Sequence, residues 1–167
     1  MARGRVYTVT FSAVATTTTA DLFDIAPASG KPITIMGFNV GSVGGTADAG
    51  DAQEELLSLK VVRGLATVGS GGTAASNGVT VNPVDTLSTA ASFTARTMDT
   101  TIAVVGGGTT QTVWSDGWNN RSPYPAMFTD EQEISCSSTD TRLVVVLATA
   151  PADSLSISGT CWVRELL

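Results

Sequence analysis

Residues 143 to 147 read LVVVL, apolar at every position, whereas residues 155 to 165 read LSISGTCWVRE, with Leu155, Ile157, Gly159, Cys161 and Val163 alternating with Ser156, Ser158, Thr160, Trp162 and Arg164. A strand covered on both faces gives the first pattern, and a strand with one face on a core gives the second. Neither has the spacing of a helix. The same style recurs over residues 5–11, 20–26, 32–40, 54–63, 94–105, 111–118 and 131–137, each short, rich in β-branched or aromatic residues and bounded by Gly, Pro, Asp, Asn or Ser. The expected fold is all-β: a two-layer antiparallel β-sandwich with the strand order of a jelly roll. The segments 141–148 and 154–165 flank Pro151-Ala152-Asp153 and are expected to pair as a hairpin. Only DTLSTAA, residues 85–91, offers a helix, with Asp85 as its cap, and its Thr and Ser residues weigh against one.

A chain of 167 residues, 43% of them hydrophobic, suits one core. The expected organisation is an N-terminal arm over residues 1–5 and a single sandwich domain over 6–167. A net charge of −6 argues against direct nucleic-acid binding, which draws on clustered Lys and Arg. No apolar run reaches the length of a membrane span, and MARGRVYTVTF lacks the apolar stretch of a secretory signal, so no membrane partner is expected and synthesis is expected in a cytoplasm. Cys136 and Cys161 are too few for a disulfide framework; two buried thiols or one bridge between neighbouring strands both fit.

The stretch VVRGLATVGSGGTAASN runs a strand into a glycine-rich loop, as many phosphate sites do. Such sites open into a helix, and here NGVTVNPVD follows, with turn chemistry and a short alternating strand. The loop Gly69 to Gly72 is therefore expected to bind no nucleotide. With no histidine in the chain, Ser-His-Asp, Cys-His and histidine-zinc chemistry are excluded. The pairs Glu54-Glu55 and Glu131/Glu133 with Asp130 read as solvated edge charge, and Asp48 and Asp51 lack the dense spacing of a calcium loop. Neither a cofactor nor an enzymatic activity is expected.

The segment VWSDGWNNRSPYP, residues 113–125, holds Trp, Tyr and Arg together, as binding hot spots and sugar platforms do. Trp118, Arg121 and Tyr124 are candidate partner-binding residues. The competing expectation places Trp114 and Tyr124 in the core on either side of a turn at Asp116-Gly117.

MARGRVYTVTF, LFDIAPASGKPITIMGFNVG, EELLSLKVVRG with GSGGTAASN and NPVD, and RLVVVLATAPADSLSISGTCWVREL together resemble small virion structural proteins of tailed bacteriophages. The resemblance spans nearly the whole chain, rests on overall pattern, and has no catalytic motif. It implies a capsid decoration, or cement, protein: a β-rich domain on the outer surface of the assembled head, stabilising contacts between subunits of the major capsid protein, often as a homotrimer. Charged residues at only 14% beside the apolar content also point to self-association. Arg3 and Arg5, flanking Gly4 ahead of the first strand, are candidate anchors to a neighbouring subunit. The alternatives are a tail or fibre component contacting the host surface, and a carbohydrate-binding β-sandwich module.

Overall fold

The computed structural model describes residues 4–43, 54–104, 109–137 and 142–166. Arg3, Asp48, Asp51 and Thr141 lie outside the described residues. The strands are β1 (Arg5–Thr16), β2 (Ala20–Ala26), β3 (Ile33–Ser42), β4 (Leu56–Arg63), β5 (Thr73–Ala74), β6 (Val81–Pro83), β7 (Thr94–Asp99), β8 (Gln111–Asn119), β9 (Tyr124–Met127), β10 (Ile134–Cys136), β11 (Leu143–Leu147) and β12 (Leu155–Glu165). One sheet has the order β10-β3-β12-β1-β6, with β9 also pairing β3, and the other β5-β7-β2-β11-β4-β8. The chain changes sheet from β1 to β2, to β3 and to β4, and again from β11 to β12. Its last strands slot between its first ones, giving β1-β12-β3 facing β2-β11-β4. This is a jelly-roll sandwich.

That topology corrects the expected hairpin. β11 pairs β2 and β4, while β12 pairs β1 and β3, so Pro151-Ala152-Asp153 carries the chain across to the opposite sheet. Each strand already has two partners in its own sheet. Glu55, read as solvated charge, anchors the crossing by accepting the Ala152 N–H at 3.0 Å. The helix over 85–91 does not form either. Asp85 accepts the Leu87 N–H at 2.9 Å and closes one turn, a local bond that competes with helix propagation.

The inward faces of both sheets supply one core, with Tyr7, Phe23, Phe38, Leu59, Leu143, Ile157 and Trp118 among its buried side chains. β12 alternates buried and half-buried residues along its length, as its sequence predicts. Gly159 faces inward, where a Cβ would stand 2.9 Å from the Phe11 ring and 3.0 Å from Phe23. The two rings, 5.2 Å apart, fill the space a side chain would need. Cys136 and Cys161 are both buried and form no disulfide. β3 lies between their strands, with Cys136 opposite Ile33 and Cys161 opposite Phe38.

The outer face of the second sheet is also covered. Val144 and its cross-strand neighbour Val62 pack with Leu65 and Ala103, so β11 is buried on both sides as its unbroken apolar run predicts. What fastens the cover is a group of carboxylates. Asp21, Asp24 and Asp99 are all buried. Three residues apart on a regular strand, Asp21 and Asp24 would face opposite ways; the bulge that pairs Val145 with Phe23 and Val146 with Asp21 puts them on the same side. The Gly69 N–H donates to Asp24 at 3.3 Å, the Gly72 N–H to Asp99 at 2.9 Å and the Ala103 N–H to Asp21 at 2.6 Å. Arg96 pairs with Asp99 at 2.8 Å, and Arg142 pairs with Asp24. The glycine-rich loop thus cradles anions that belong to its own chain. A Cβ at Gly72 would lie 2.2 Å from the Thr97 carbonyl, so only glycine approaches this closely.

Burial, reinforced by the neighbouring Asp24 and Asp99 charges, pushes the Asp21 carboxyl up to about 7 against the pull of the Ala103 N–H and Arg142. An acid whose folded pKa is raised binds more protons folded than unfolded between its two values. Its contribution is therefore greatest below about pH 4 and falls as pH rises to about 7. Thermal unfolding is expected to occur at a higher temperature at pH 5 than at pH 8, and Asp21→Asn is expected to flatten that difference by raising the pH 8 value. Gly159→Ala is expected to cost about 1–3 kcal/mol through overpacking against Phe11 and Phe23, read by urea unfolding.

Candidate functional site

β8 and β9 are the facing edges of the two sheets, and an open groove of about 430 Å³ runs between them. Trp114, Asp116, Tyr124, Met127, Phe128 and Gln132 contribute to its lining. Alternation along β8 puts Trp114 toward the sandwich, where its ring meets Phe38 at 5.4 Å and 85°. Phe128 lies 6.1 Å from Trp114 at 73°, and Tyr124 6.0 Å away at 58°. These contacts, edge-to-face with Phe38 and Phe128 and tilted with Tyr124, plug the open side of the core and fix the rings that form the groove floor.

At the rim, Asp116 accepts the Gly117 N–H at 2.7 Å and the Tyr124 hydroxyl. Those two donors, the tyrosine first, hold its carboxyl below the usual carboxylate range. Burial, followed by the Asp116 hydrogen bond and charge, pushes the Tyr124 phenol up to about 12. The groove therefore presents a fixed carboxylate and a protonated phenol side by side. Asp116-Gly117 is not the expected turn. β8 runs straight through both residues in register with Ser58 and Leu59, and the chain turns instead where the Ser122 N–H meets the Asn119 carbonyl.

The candidate residues do not form one surface. Trp118 is 1% exposed, with its indole N–H donating to the Ser122 carbonyl at 2.8 Å, so it belongs to the core and corrects the expectation of a surface hot spot. Arg121 is exposed on the turn, and half-buried Tyr124 lines the groove. Arg5 is already the first residue of β1, opposite Glu165, and its guanidinium donates to the Thr89 hydroxyl. Gly4 is pressed against β12, where a Cβ would lie 2.3 Å from the Glu165 carbonyl. The arm expected over residues 1–5 is thus docked from Gly4 onward.

Arg5 lies beside a second surface that sequence reading missed. The connection around β6 runs along β1, with the Val84 N–H on the Val6 carbonyl and the Tyr7 hydroxyl on the Thr89 carbonyl. Along it Val79, Val84 and Leu87 are 72%, 59% and 91% exposed. The available signal was four aliphatic residues, Val79, Val81, Val84 and Leu87, among Asn, Asp, Thr and Pro83, of which only Val81 is buried. Among the described residues no helix is long and apolar enough to cross a membrane, and no group of acidic residues and cysteines is placed to hold a metal ion.

No family model matches the sequence, and no curated protein matches it. The chain is similar to VP2 in a subviral particle of infectious bursal disease virus, at 15% identity and a TM-score of 0.24, over 99% of this chain and 42% of that one. The likeness to the viral particle of the same virus has 16% identity and a TM-score of 0.25, over 99% and 40%. The chain thus spans well under half the length of these neighbours.

Replacing Trp118 with Ala is expected to cost about 3–5 kcal/mol in urea unfolding, the range for an emptied aromatic core site. Loss of binding in that variant would report unfolding, and surface contacts are better tested at Tyr124 or Leu87.

Proposed function

We propose that this protein is a non-catalytic structural component of a virus particle, a cement domain that binds the outer face of an assembled shell and bridges neighbouring subunits of the major capsid protein. The observation that carries the reading is the flank of Val79, Val84 and Leu87, which leaves three large apolar side chains in water beside a cation and the docked N-terminal segment. Exposed aliphatic side chains set along one connection suit a surface that another protein covers. The jelly roll supports the reading as an architecture that serves virus shells. The sequence resemblance to phage virion proteins points the same way. Self-association into a trimer fits the same apolar surplus.

A subunit that binds only the assembled shell stabilises each junction by RT ln(1 + [L]/Kd), about 2.7 kcal/mol at a hundredfold excess over Kd, and the effect accumulates over many copies. Leu87→Asp and deletion of residues 1–5 are expected to weaken attachment to particles. Leu87→Asp is expected to leave the unfolding midpoint unchanged, because its side chain is exposed. Particles stripped of the protein are expected to release their genome at lower temperature. Copy number against the major capsid protein in purified particles is the direct measurement. If Leu87→Asp saturates particles as the wild type does and stripping leaves the release temperature unchanged, the shell reading gives way to a tail role.

A further inference from the structure

The groove between β8 and β9 lies at the opposite edge of the first sheet from the flank proposed to meet a shell. Its floor is aromatic, and the rings are set by packing, so a ligand meets them without ordering them first. Its rim carries Asp116, oriented by two donors, with lone pairs left to accept further hydrogen bonds. Gln132 adds an amide, whose carbonyl oxygen accepts the Thr129 N–H at 3.4 Å. Among the described residues no lysine or arginine lines the groove. We infer that this groove binds a neutral glycan, one sugar ring lying on Trp114 and Tyr124 with its hydroxyls donating to Asp116 and bonding Gln132.

Three comparisons lead to that class. An anionic sugar, phosphate or sulfate would meet the Asp116 charge with no cation to offset it, in a chain of net charge −6. A purely apolar ligand would strip water from a carboxylate and leave it without new partners. A single cationic side chain would find Asp116, but at a fully exposed site such a pair contributes little. It would also leave much of a groove of about 430 Å³ empty. A sugar uses all three features at once: flat apolar C–H faces for the rings, hydroxyl donors for the carboxylate, and a size that fits a ligand cleft.

The test is an NMR titration of the full chain with methyl α-glucopyranoside, methyl β-galactopyranoside, N-acetylglucosamine and lactose, with sialyllactose and free arginine as charged probes. At least one neutral sugar is expected to shift the Gly117, Met127 and Phe128 amides and the Trp114 indole saturably, while both charged probes leave them in place. Asp116→Ala is expected to weaken that binding severalfold by removing the acceptor, and Tyr124→Phe to weaken it less, by removing the hydroxyl that orients that acceptor. Unchanged unfolding midpoints in both variants separate this effect from misfolding. The inference is overturned if no neutral sugar moves these resonances, if arginine or sialyllactose moves them equally, or if both variants bind as the wild type does. None of these outcomes bears on the proposed attachment to particles, which is assigned to the opposite edge of the sheet.

Discussion

Three buried carboxylates beneath a glycine-rich loop set the architecture of the second sheet. Asp21, Asp24 and Asp99 are removed from water on the outer face of β2 and β7, where isolated charges would be prohibitive. Backbone N–H groups from Gly69, Gly72 and Ala103, with Arg96 and Arg142, supply the compensation. The arrangement also draws the 64–72 and 100–104 segments onto the sheet, through the Ser70–Thr101 and Thr67–Val104 bridges. Because the cover is held down, Val144 and Leu65 form a second apolar cluster, and β11 is free to be apolar throughout.

A sandwich that is not a closed barrel must also manage its edges. Here β5 has two residues, and β6 and β9 are short and contain Pro83 and Pro125, which cannot donate to a further strand. β8 is the long exception, and it is guarded differently. The Asn120 N–H bonds the Glu55 carbonyl, which sets the alternation of β8 so that Gly117 points away from β4. That outward N–H is taken by the Asp116 carboxylate, and a bulge opposite Val61 and Val62 bends the strand. Asp116 therefore blocks strand addition and, in doing so, is held at the groove rim in a defined orientation.

The sequence reveals those features that depend on one strand at a time. β2 coincides with the segment 20–26 read from its apolar content, and the two-residue period of β12 assigns Gly159 and Cys161 to the core. Partner choice is another matter. β11 and β12 carry the same local signals whether they pair with each other or lie in opposite sheets, and only the competition among β1 to β4 for neighbours decides it. The same limit explains Asp116-Gly117, a frequent turn pair whose turn-forming carboxylate here serves an edge strand. Trp118 was legible as an important residue but not as a buried one. Trp114 and Trp118, four apart in an unbroken register with β4, face the same way, but Trp114 sits at the open side of the core and Trp118 lies inside it, a difference of depth that the period of two does not report.

The groove and the apolar flank lie at opposite edges of the first sheet, β9 beside β3 at one and β6 beside β1 at the other. With strand spacings of about 4.8 Å, four steps separate them by roughly 19 Å. At that separation, with no shared side chain, substitutions in one surface act independently of the other. The separation also has a geometric consequence for the proposed role. A domain seated on a shell through β1 and β6 turns the β8–β9 mouth away from that contact, leaving it open to solvent. The rigid sheet between them, β1, β12 and β3, is the most extensively paired part of the molecule, with ten register pairs between β1 and β12 alone. It would hold the two surfaces at a fixed distance, so occupancy of one need not deform the other, and an inert attachment surface and a selective cleft can coexist on one small domain.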